Sequence, residues 1–395
     1  FDAPATVSNC MNLASAFLAS AENNLEKTAV FWGDADYSYR HFRDQSAWVG
    51  QTLQTALAVR PGDRVGIWLR NCPEFVSALF GGLLANAVVE VINNFLKPAE
   101  VAYILGDAGI NVLISEAAMS EAHEKLMSLR PGLRVLLADR FGSEPFPGAP
   151  VPPGDRREHD LAMLIYTSGT TGHPKGAMLT HGNLLHNVES CRQVLEAAQV
   201  DRFALVLPMF HSYMLTVCVL LPLIVGGSIV LVKSLNPPKR ILEEIVHHQA
   251  TVLVGIPPLF RTLVHTPIPS GLTLRLCISG AAPLPVETLK QFSQRYSAPL
   301  LEGYGLSEAS PVVSLNPIHG VSKPGSIGLP IPGVEVSIRN DEGQELPPEQ
   351  TGEVCVRGGN VMIGYWNQKE ETDRTIKNGW LKTGDIGRMD QDGYI

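Results

Sequence analysis

The chain has 395 residues, of which 45% are hydrophobic and 18% are charged, a composition that argues against disorder and predicts two or three folded units. Its net charge of −8 without a long basic run argues against nucleic acid as a partner, because phosphate binding needs a concentrated positive surface. The six cysteines form no C-x-x-C pair and the histidines no ligand pattern, so we expect no zinc, no iron and no disulfide framework, and a reducing cytoplasm.

Apolar runs bounded by turn residues predict two series of strands. The spacing of the runs leaves room for one helix between consecutive strands, which is the pattern of parallel, doubly wound sheets. The first series of strands is predicted to begin near Arg64, Val88, Asn111, Leu133 and Leu161, and the second near Phe203, Ser228, Thr251, Leu274 and Pro299.

The segment between Arg202 and Lys233 contains no charged residue and is long enough to raise the question of a transmembrane span. Pro208, Pro222 and the pair Gly226–Gly227 interrupt it. These breakers predict a strand, a helix, a turn and a second strand in a buried core, with no transmembrane segment.

The character of the sequence changes after about residue 318, where turn residues recur every few positions. Val334, Val336 and Ile338 alternate with polar neighbours, which predicts antiparallel strands. The fold class predicted is therefore α/β, with two doubly wound, mostly parallel sheets packed together, at about residues 1–200 and 201–318, and a small antiparallel β-barrel at 319–395.

Unusual residues follow five of the predicted strands. In open α/β sheets, ligands bind beyond the carboxyl ends of the strands. We therefore expect one crevice lined by the segments "TSGTTGHPKG", "PMFHSY", "GIPP", "GAAP" and "GYGLSEAS".

The segment "TSGTTGHPKG", from Thr167 to Gly176, is suited to a polyphosphate. Its glycines let backbone N–H groups approach an anion, its hydroxyls donate hydrogen bonds, and its lysine adds one full charge. It is not a Walker A loop, since Pro174 stands where glycine is needed and Gly176 follows the lysine. The residues predicted to hold phosphate are Thr167, Ser168, Gly169, Thr170, Thr171, Gly172 and Lys175.

Six motifs occur in order along the chain and closely resemble those of adenylate-forming enzymes, which comprise acyl-CoA synthetases, luciferases and peptide-synthetase adenylation domains. The segment "GLSEA" is not a hydrolase nucleophile elbow, because Ala309 replaces the second glycine and Pro311 opposes a following helix. The motifs are "YTSGTTGHPKGAMLTHGNL", "LPMFHSYMLT", "SGAAPL", "LLEGYGLSEASPVV", "GEVCVRGGNVMIGYWN" and "WLKTGDIG".

This resemblance implies that the protein activates a carboxylic acid with ATP to an acyl-adenylate, releases pyrophosphate, and passes the acyl group to a thiol. Positioning and charge neutralisation dominate such chemistry. Family members continue past "DGYI" into a mobile lid that carries a catalytic lysine. These 395 residues lack that lid, so we expect them to bind ATP and the acid but to form the adenylate poorly.

The resemblance also assigns roles around the nucleotide. Tyr304 is implied to stack on adenine, Asp385 to accept hydrogen bonds from both ribose hydroxyls, and Glu308 to help hold Mg²⁺. Ser307 replaces the usual threonine and keeps its hydroxyl. The catalytic groups implied are Thr167, Lys175, His211 and Glu308, and the other nucleotide contacts are Gly280, Ala281, Ala282, Glu302, Gly303, Gly305 and Ser307.

The acyl site is implied by "PMFHSY", where His211 resembles the residue that borders the substrate carboxylate. No Lys, Arg or Asp in these segments could pair with an α-amino group, which favours a fatty or aryl acid over an amino acid. The predicted pocket residues are Phe210, His211, Tyr213, Met214, Leu215, Val254, Gly255 and Ile256.

The sequences "LPMFHSYMLT" and "LLEGYGLSEASPVV" most resemble those of fatty acyl-CoA or acyl-carrier-protein synthetases. The predicted substrate is therefore a medium- or long-chain fatty acid, and the predicted acceptor is CoA. An aryl acid, an acyl carrier protein as acceptor, and peripheral attachment to a membrane stay open. A homologue that binds ATP or acyl groups without full activity is the alternative from another class.

Overall fold

A computed structural model gives the fold of residues 12–142, 156–167 and 173–395. The ten predicted strand starts agree with observed strands to within two residues. The strands are β1 Thr28–Trp32, β2 Ala35–Ser38, β3 Arg64–Trp68, β4 Val88–Val91, β5 Val112–Ser115, β6 Arg134–Leu137, β7 Leu161–Thr167, β8 Lys175–Thr180, β9 Arg202–Leu205, β10 Ser228–Leu231, β11 Val252–Gly255, β12 Leu276–Ser279, β13 Leu300–Gly305, β14 Val312–Leu315, β15 Leu329–Pro330, β16 Val334–Arg339, β17 Gly352–Gly358, β18 Gly364–Tyr365, β19 Ile376–Lys377 and β20 Trp380–Gly387.

Helices connect most of these strands, and a π-helical segment, Leu215–Leu220, joins two short helices into one rod. The α-helices are α1 Leu13–Asn23, α2 Tyr39–Thr55, α3 Glu74–Leu84, α4 Pro98–Asp107, α5 Ser120–Leu129, α6 His181–Val194, α7 Ser212–Met214, α8 Leu221–Val225, α9 Lys239–His247, α10 Pro257–Leu263, α11 Val286–Arg295 and α12 Lys369–Thr375.

Three sheets organise the described residues. The first has the order β18-β8-β7-β4-β3-β5-β6 and is parallel from β7 to β6, whereas β8 and β18 are antiparallel. The second has the order β15-β14-β13-β12-β11-β9-β10-β1-β2 and is parallel from β13 to β1. The third is the antiparallel sheet β16-β17-β20-β19. The predicted fold class is confirmed, and the small antiparallel unit is a four-stranded sheet.

The main core lies between the two large sheets. Val65 and Ile67 of the first sheet share one buried cluster with Phe203 and Val254 of the second. Helix α3 lies in this layer and is buried along all its length after Glu74, as expected for a helix that is apolar all round. Further helices cover the outer faces of the sheets, so the layers alternate helix, sheet, helix, sheet, helix.

The uncharged segment after Arg202 folds as its proline and glycine residues predict. It forms β9, the rod from α7 to α8, a turn and β10, and Gly226 ends the rod with φ of 81°. A left-handed residue at this place favours glycine. No helix among the described residues is long and apolar enough to cross a membrane.

Helix α6 begins directly after β8 because two side chains cap it. Thr180 Oγ1 accepts a 3.0 Å hydrogen bond from the backbone N–H of Asn183, and Asn183 Oδ1 accepts a 2.9 Å bond from the N–H of Thr180. This reciprocal capping box satisfies two backbone donors at the helix start. It thereby fixes the direction of α6, whose far end lines the cavity described next.

Candidate active site

An apolar cavity of about 220 Å³ lies at the carboxyl ends of the second sheet. The segments after β9 and β12 line it, together with β13, β14 and the end of α6. None of its lining side chains in the described part of the chain is Asp, Glu, Lys or Arg. The lining residues are Cys191, Val194, Leu195, His211, Ser212, Tyr213, Val217, Ile278, Gly280, Ala281, Gly303, Tyr304, Gly305, Leu306, Ser307, Pro311, Val312, Ser314 and Leu315.

Tyr213 fills one side of this cavity and depends on a glycine opposite. A Cβ atom on Gly280 would lie 3.0 Å from the Tyr213 ring, so a larger residue at this position would push the tyrosine away by a few tenths of an ångström. Burial raises the pKa of Tyr213 well above its usual value. The phenol is therefore neutral, and it forms a firm wall between the strand end and the cavity.

His211 caps α7 at the cavity. Its Nδ1 accepts a hydrogen bond of 3.3 Å from the backbone N–H of Tyr213. Desolvation by the surrounding chain lowers the pKa of His211, although part of the residue is exposed. Because Nδ1 is the acceptor, the neutral ring carries its proton on Nε2. A neutral ring with one free N–H can donate to a substrate oxygen without introducing a charge.

Tyr304 is the wall between the cavity and a second, polar cleft. Its hydroxyl donates a 2.5 Å hydrogen bond to Oδ2 of Asp385, and both residues line the second cleft. Burial raises the pKa of Tyr304, so the hydroxyl remains a donor. The structure thus brings together two residues that are far apart in sequence and that the motifs assign to one nucleotide.

Glu302 supports this wall from behind. Its Oε1 accepts a 2.7 Å hydrogen bond from the backbone N–H of Leu284, and burial raises its pKa. Glu302 therefore ties the turn that contains Gly280, Ala281 and Ala282 to β13. Two predicted nucleotide contacts, Ala282 and Glu302, are not among the described residues that line the cavity. Ala282 is exposed, and Glu302 is buried.

A cluster of oxygen atoms lies at the end of β7. Glu308 Oε1 accepts a 3.3 Å hydrogen bond from the Thr167 hydroxyl and a 2.9 Å bond from the Tyr365 hydroxyl. Glu308 lies in the short 3₁₀ turn Ser307–Ala309 after β13. The predicted phosphate residues Ser168, Gly169, Thr170, Thr171 and Gly172 lie outside the described residues.

This oxygen cluster fits a hard cation such as Mg²⁺. Carboxylate and hydroxyl oxygens are the ligands that Mg²⁺ accepts. No group of three or more His, Cys, Asp or Glu side chains among the described residues could hold a metal. Glu308 would therefore supply one ligand, and phosphate and water oxygens would complete the coordination, as is usual for nucleotide-bound Mg²⁺.

Lys175 begins β8 and lies beside the same cluster. Its side chain is only 7% exposed and its Nζ lies 2.5 Å from Oε1 of Glu371 on α12. The ammonium also lies 5.4 Å from the centre of the Tyr365 ring. The motifs identified the lysine, but sequence reasoning missed its carboxylate partner 196 positions away.

Apart from His211 and Tyr213, the predicted pocket residues do not line this cavity. Met214, Leu215 and Val254 are buried in the core between the large sheets. Gly255 ends β11, Ile256 caps α10, and Phe210 packs edge-on against Phe95. Sequence reasoning missed the wall supplied by α6, because an apolar face on a helix predicts core packing and carries no chemical signal. These missed residues are Cys191, Val194 and Leu195.

Comparisons with known proteins identify the family of the chain. The family model "AMP-binding enzyme" matches residues 17–366. A long-chain-fatty-acid–CoA ligase of Bacillus subtilis (strain 168) is 33% identical over 426 residues, covering 97% of this chain and 75% of the relative. A feruloyl-CoA synthase of an Amycolatopsis species is 34% identical over 374 residues, covering 93% and 74%.

A solved structure supports the same family assignment. An anthranilate CoA ligase in complex with anthranoyl-AMP superimposes with a TM-score of 0.89 at 25% identity, over 99% of this chain and 78% of that one. The chain therefore belongs to the AMP-binding enzyme family, and the adenylate-forming enzyme that the six motifs predict is confirmed.

Proposed function

We propose that the protein activates a medium- or long-chain fatty acid with ATP and transfers the acyl group to CoA. The observation that carries this proposal is the position of Tyr304, which borders both the apolar cavity and a polar cleft containing Asp385. An acyl-adenylate has an apolar half and a nucleotide half joined at one carbonyl. The two spaces match these halves, and they meet at one side chain.

The acid occupies the apolar cavity. A buried charge without a partner is costly, and no carboxylate side chain among the described lining residues could pair with the α-ammonium group of an amino acid. The cavity therefore favours an uncharged acyl chain. The 33% identity to a long-chain-fatty-acid–CoA ligase supports a fatty acid. His211, neutral and at the cavity wall, donates from Nε2 to the carboxylate and orients it.

The nucleotide occupies the polar cleft. Tyr304, which borders both spaces, offers a ring face to adenine, whereas Gly280, Ala281 and Gly303, which the motifs also assign to the nucleotide, line the apolar cavity. On binding, Asp385 exchanges the Tyr304 hydroxyl for the two ribose hydroxyls, since a carboxylate accepts several such bonds. The α-phosphate then faces the Ser307 hydroxyl, which Ser212 holds through a 2.9 Å hydrogen bond.

The remaining phosphates lie towards Thr167 and Lys175, next to Glu308. There Glu308, which accepts hydrogen bonds from Thr167 and Tyr365, is the carboxylate that would hold Mg²⁺. The ion would supply neutralisation of phosphate charge. A carboxylate oxygen of the acid attacks the α-phosphorus and pyrophosphate leaves. The thiol of CoA then attacks the acyl carbon, and AMP leaves with the electron pair.

An aryl acid is the second candidate substrate. The feruloyl-CoA synthase relative and the structural neighbour bound to anthranoyl-AMP both favour it. A planar ring would stack between Tyr213 and the apolar wall of α6 in the same cavity. Both candidates use the same nucleotide site.

The location proposed is a reducing cytoplasm. The cysteines that the structure describes, Cys72, Cys191, Cys218, Cys277 and Cys355, are free. Burial raises the pKa of Cys191 to about 12, so this cavity residue is an apolar wall and not a nucleophile.

Pyrophosphate release tests the proposal. The full-length protein is incubated with ATP, Mg²⁺, a series of acids from acetate to octadecanoate, and cinnamates, with either CoA or a phosphopantetheine-carrying acyl carrier protein. We expect release that depends on a fatty acid, with acyl-CoA detected by mass spectrometry. Release with cinnamates alone would favour the aryl candidate. Nucleotide and acid binding without release from any acid would favour the binding-only homologue.

A further inference from the structure

An ion pair joins Lys175 and Glu371 at the phosphate end of the proposed site. Lys175 carries the full positive charge of the segment "TSGTTGHPKG", yet its ammonium contacts a carboxylate of another part of the chain at 2.5 Å. The Lys175 side chain is 7% exposed and that of Glu371 is 26% exposed. At this burial the pair interacts more strongly than one on an open surface.

The fold fixes Glu371 at this place. Strand β18 pairs with β8 so that Tyr365 lies opposite Ala177, two residues from Lys175. The Thr372 hydroxyl accepts a 2.9 Å hydrogen bond from the backbone N–H of Tyr365, which docks the start of α12 against β18. The carboxylate next to Thr372 in the chain is therefore held beside the lysine.

Two features allow the carboxylate to leave. An ammonium has three donors, so a phosphate oxygen can approach Lys175 while the pair is still breaking. Glu371 Oε2 also lies 4.0 Å from Arg374 Nη1, a cation on the same helix whose side chain is 75% exposed. Arg374 can pair with Glu371 when Lys175 turns to a phosphate.

We propose that Glu371 is a positioning residue that occupies Lys175 in place of a phosphate and exchanges with the pyrophosphate group. This inference rests on the proposed nucleotide site. Without ligand, Glu371 compensates the buried ammonium. When ATP binds, its β- and γ-phosphates displace the carboxylate, and when pyrophosphate leaves, the carboxylate returns. Glu371 therefore weakens the binding of ATP and speeds the departure of pyrophosphate.

The hydrogen bond between Tyr365 and Glu308 does not depend on this exchange. Tyr365 lies between the two acids, with its ring next to Lys175 and its hydroxyl on Glu308. Burial, Glu308 and Glu371 all raise the pKa of Tyr365, so it stays a donor throughout. The change at Glu371 is thus local to Lys175, and Glu308 keeps its partner.

Binding of inorganic pyrophosphate, ATP and AMP, each with Mg²⁺, tests the proposal by calorimetry. In Glu371→Gln we expect the Kd of pyrophosphate and of ATP to fall about three- to tenfold, as for the loss of one partly screened charge. The Kd of AMP should not change, because AMP lacks the phosphates that compete with Glu371. Glu371→Asp, which keeps the carboxylate, should restore most of the wild-type Kd of pyrophosphate.

Glu370→Gln is the matched control, since Glu370 is exposed on the same helix and its loss changes the net charge equally. It should leave all three Kd values unchanged. In a Lys175→Met background, Glu371→Gln should have no effect on pyrophosphate. In turnover assays of Glu371→Gln, the KM of ATP and the inhibition constant of pyrophosphate should fall together.

A structural role alone would lower the melting temperature of Glu371→Gln without tighter pyrophosphate binding. That result, or an equal effect of Glu370→Gln, would overturn the role of Glu371. Failure of the unaltered chain to bind both ATP and AMP would instead overturn the proposed nucleotide site.

Discussion

The hydroxyl of Tyr304 donates a 2.5 Å hydrogen bond to Oδ2 of Asp385, and this pair joins β13 of the second sheet to β20 of the small antiparallel sheet. Asp385 is exposed, whereas Tyr304 borders the apolar cavity. The bond therefore connects the place proposed for the ribose with the wall of the place proposed for the acid.

Asp385→Asn should weaken nucleotide binding. Removing the charge from an acceptor of hydrogen bonds costs about 1.5–3 kcal/mol, which corresponds to a rise of about 10- to 100-fold in the Kd of ATP and of AMP. Calorimetry measures both. Asp341→Asn, an exposed carboxylate in a turn elsewhere, is the control and should bind like wild type. Equal affinities in Asp385→Asn and wild type would remove Asp385 from the site.

Glu308→Gln should impair the use of Mg²⁺. The neutral amide keeps a hydrogen-bond acceptor for Thr167 and Tyr365 but loses the charge that attracts the cation. We expect kcat/KM to fall at least about 100-fold and the Mg²⁺ concentration for half-maximal rate to rise. Glu342→Gln, an exposed turn residue, is the control. An unaltered Mg²⁺ requirement in Glu308→Gln would contradict the assignment.

Gly280→Ala should act on the acid and spare the nucleotide. The added Cβ meets the Tyr213 ring at 3.0 Å, so the tyrosine moves into the cavity at a cost of about 1–3 kcal/mol. The KM of the acid should rise by about tenfold or more, most for bulky acids, while the Kd of ATP changes little. Gly106→Ala on α4 is the matched control. Equal rises in the KM of the acid and in the Kd of ATP would instead place Gly280 at the nucleotide.

The stability of the fold should decrease in mild acid because of His181. Burial lowers the pKa of His181 to about 4, and its Nδ1 accepts a 3.2 Å hydrogen bond from the N–H of Leu13. The unfolded histidine has a pKa of about 6.5, so the unfolded chain binds more protons between these values. The stabilisation is complete above about pH 6.5 and is lost as the pH falls towards 4, by about 3 kcal/mol.

Chemical unfolding as a function of pH measures this loss. In His181→Asn the amide oxygen still accepts from Leu13 but does not titrate, so the dependence on pH should become shallower. It should not vanish, since burial also lowers the pKa of His123, His186, His211 and His248. An identical pH dependence in His181→Asn and wild type would contradict the account.

The parallel strands could be predicted because they are buried on both faces. Segments such as Val252–Gly255 are continuous apolar runs bounded by turn residues, and this local signal is enough to locate a strand. The pairing of Gly364–Tyr365 with β8 could not be predicted. Two residues carry no periodicity, and the pairing joins parts of the chain that are far apart in sequence.

In the candidate site, too, some residues could be predicted from the sequence and others could not. Glu308, Tyr304 and Asp385 follow from motifs, because their roles need particular chemical groups at particular strand ends. The cavity wall from α6 does not, since Val194 and Leu195 fill space as ordinary core residues do. Glu371 was missed because the ion pair with Lys175 depends on how α12 docks, which is a property of the folded chain.

Calorimetric titration with a non-hydrolysable sulfamoyl analogue of a fatty acyl-adenylate tests the central claim most directly. If the cavity and the cleft form one acyl-adenylate site, the analogue should bind with one-to-one stoichiometry and at least about 100-fold more tightly than either the acid or AMP alone. Asp385→Asn and Gly280→Ala should each weaken it. The account would be contradicted if the analogue bound no more tightly than AMP and if its Kd were the same in Gly280→Ala and in the wild type.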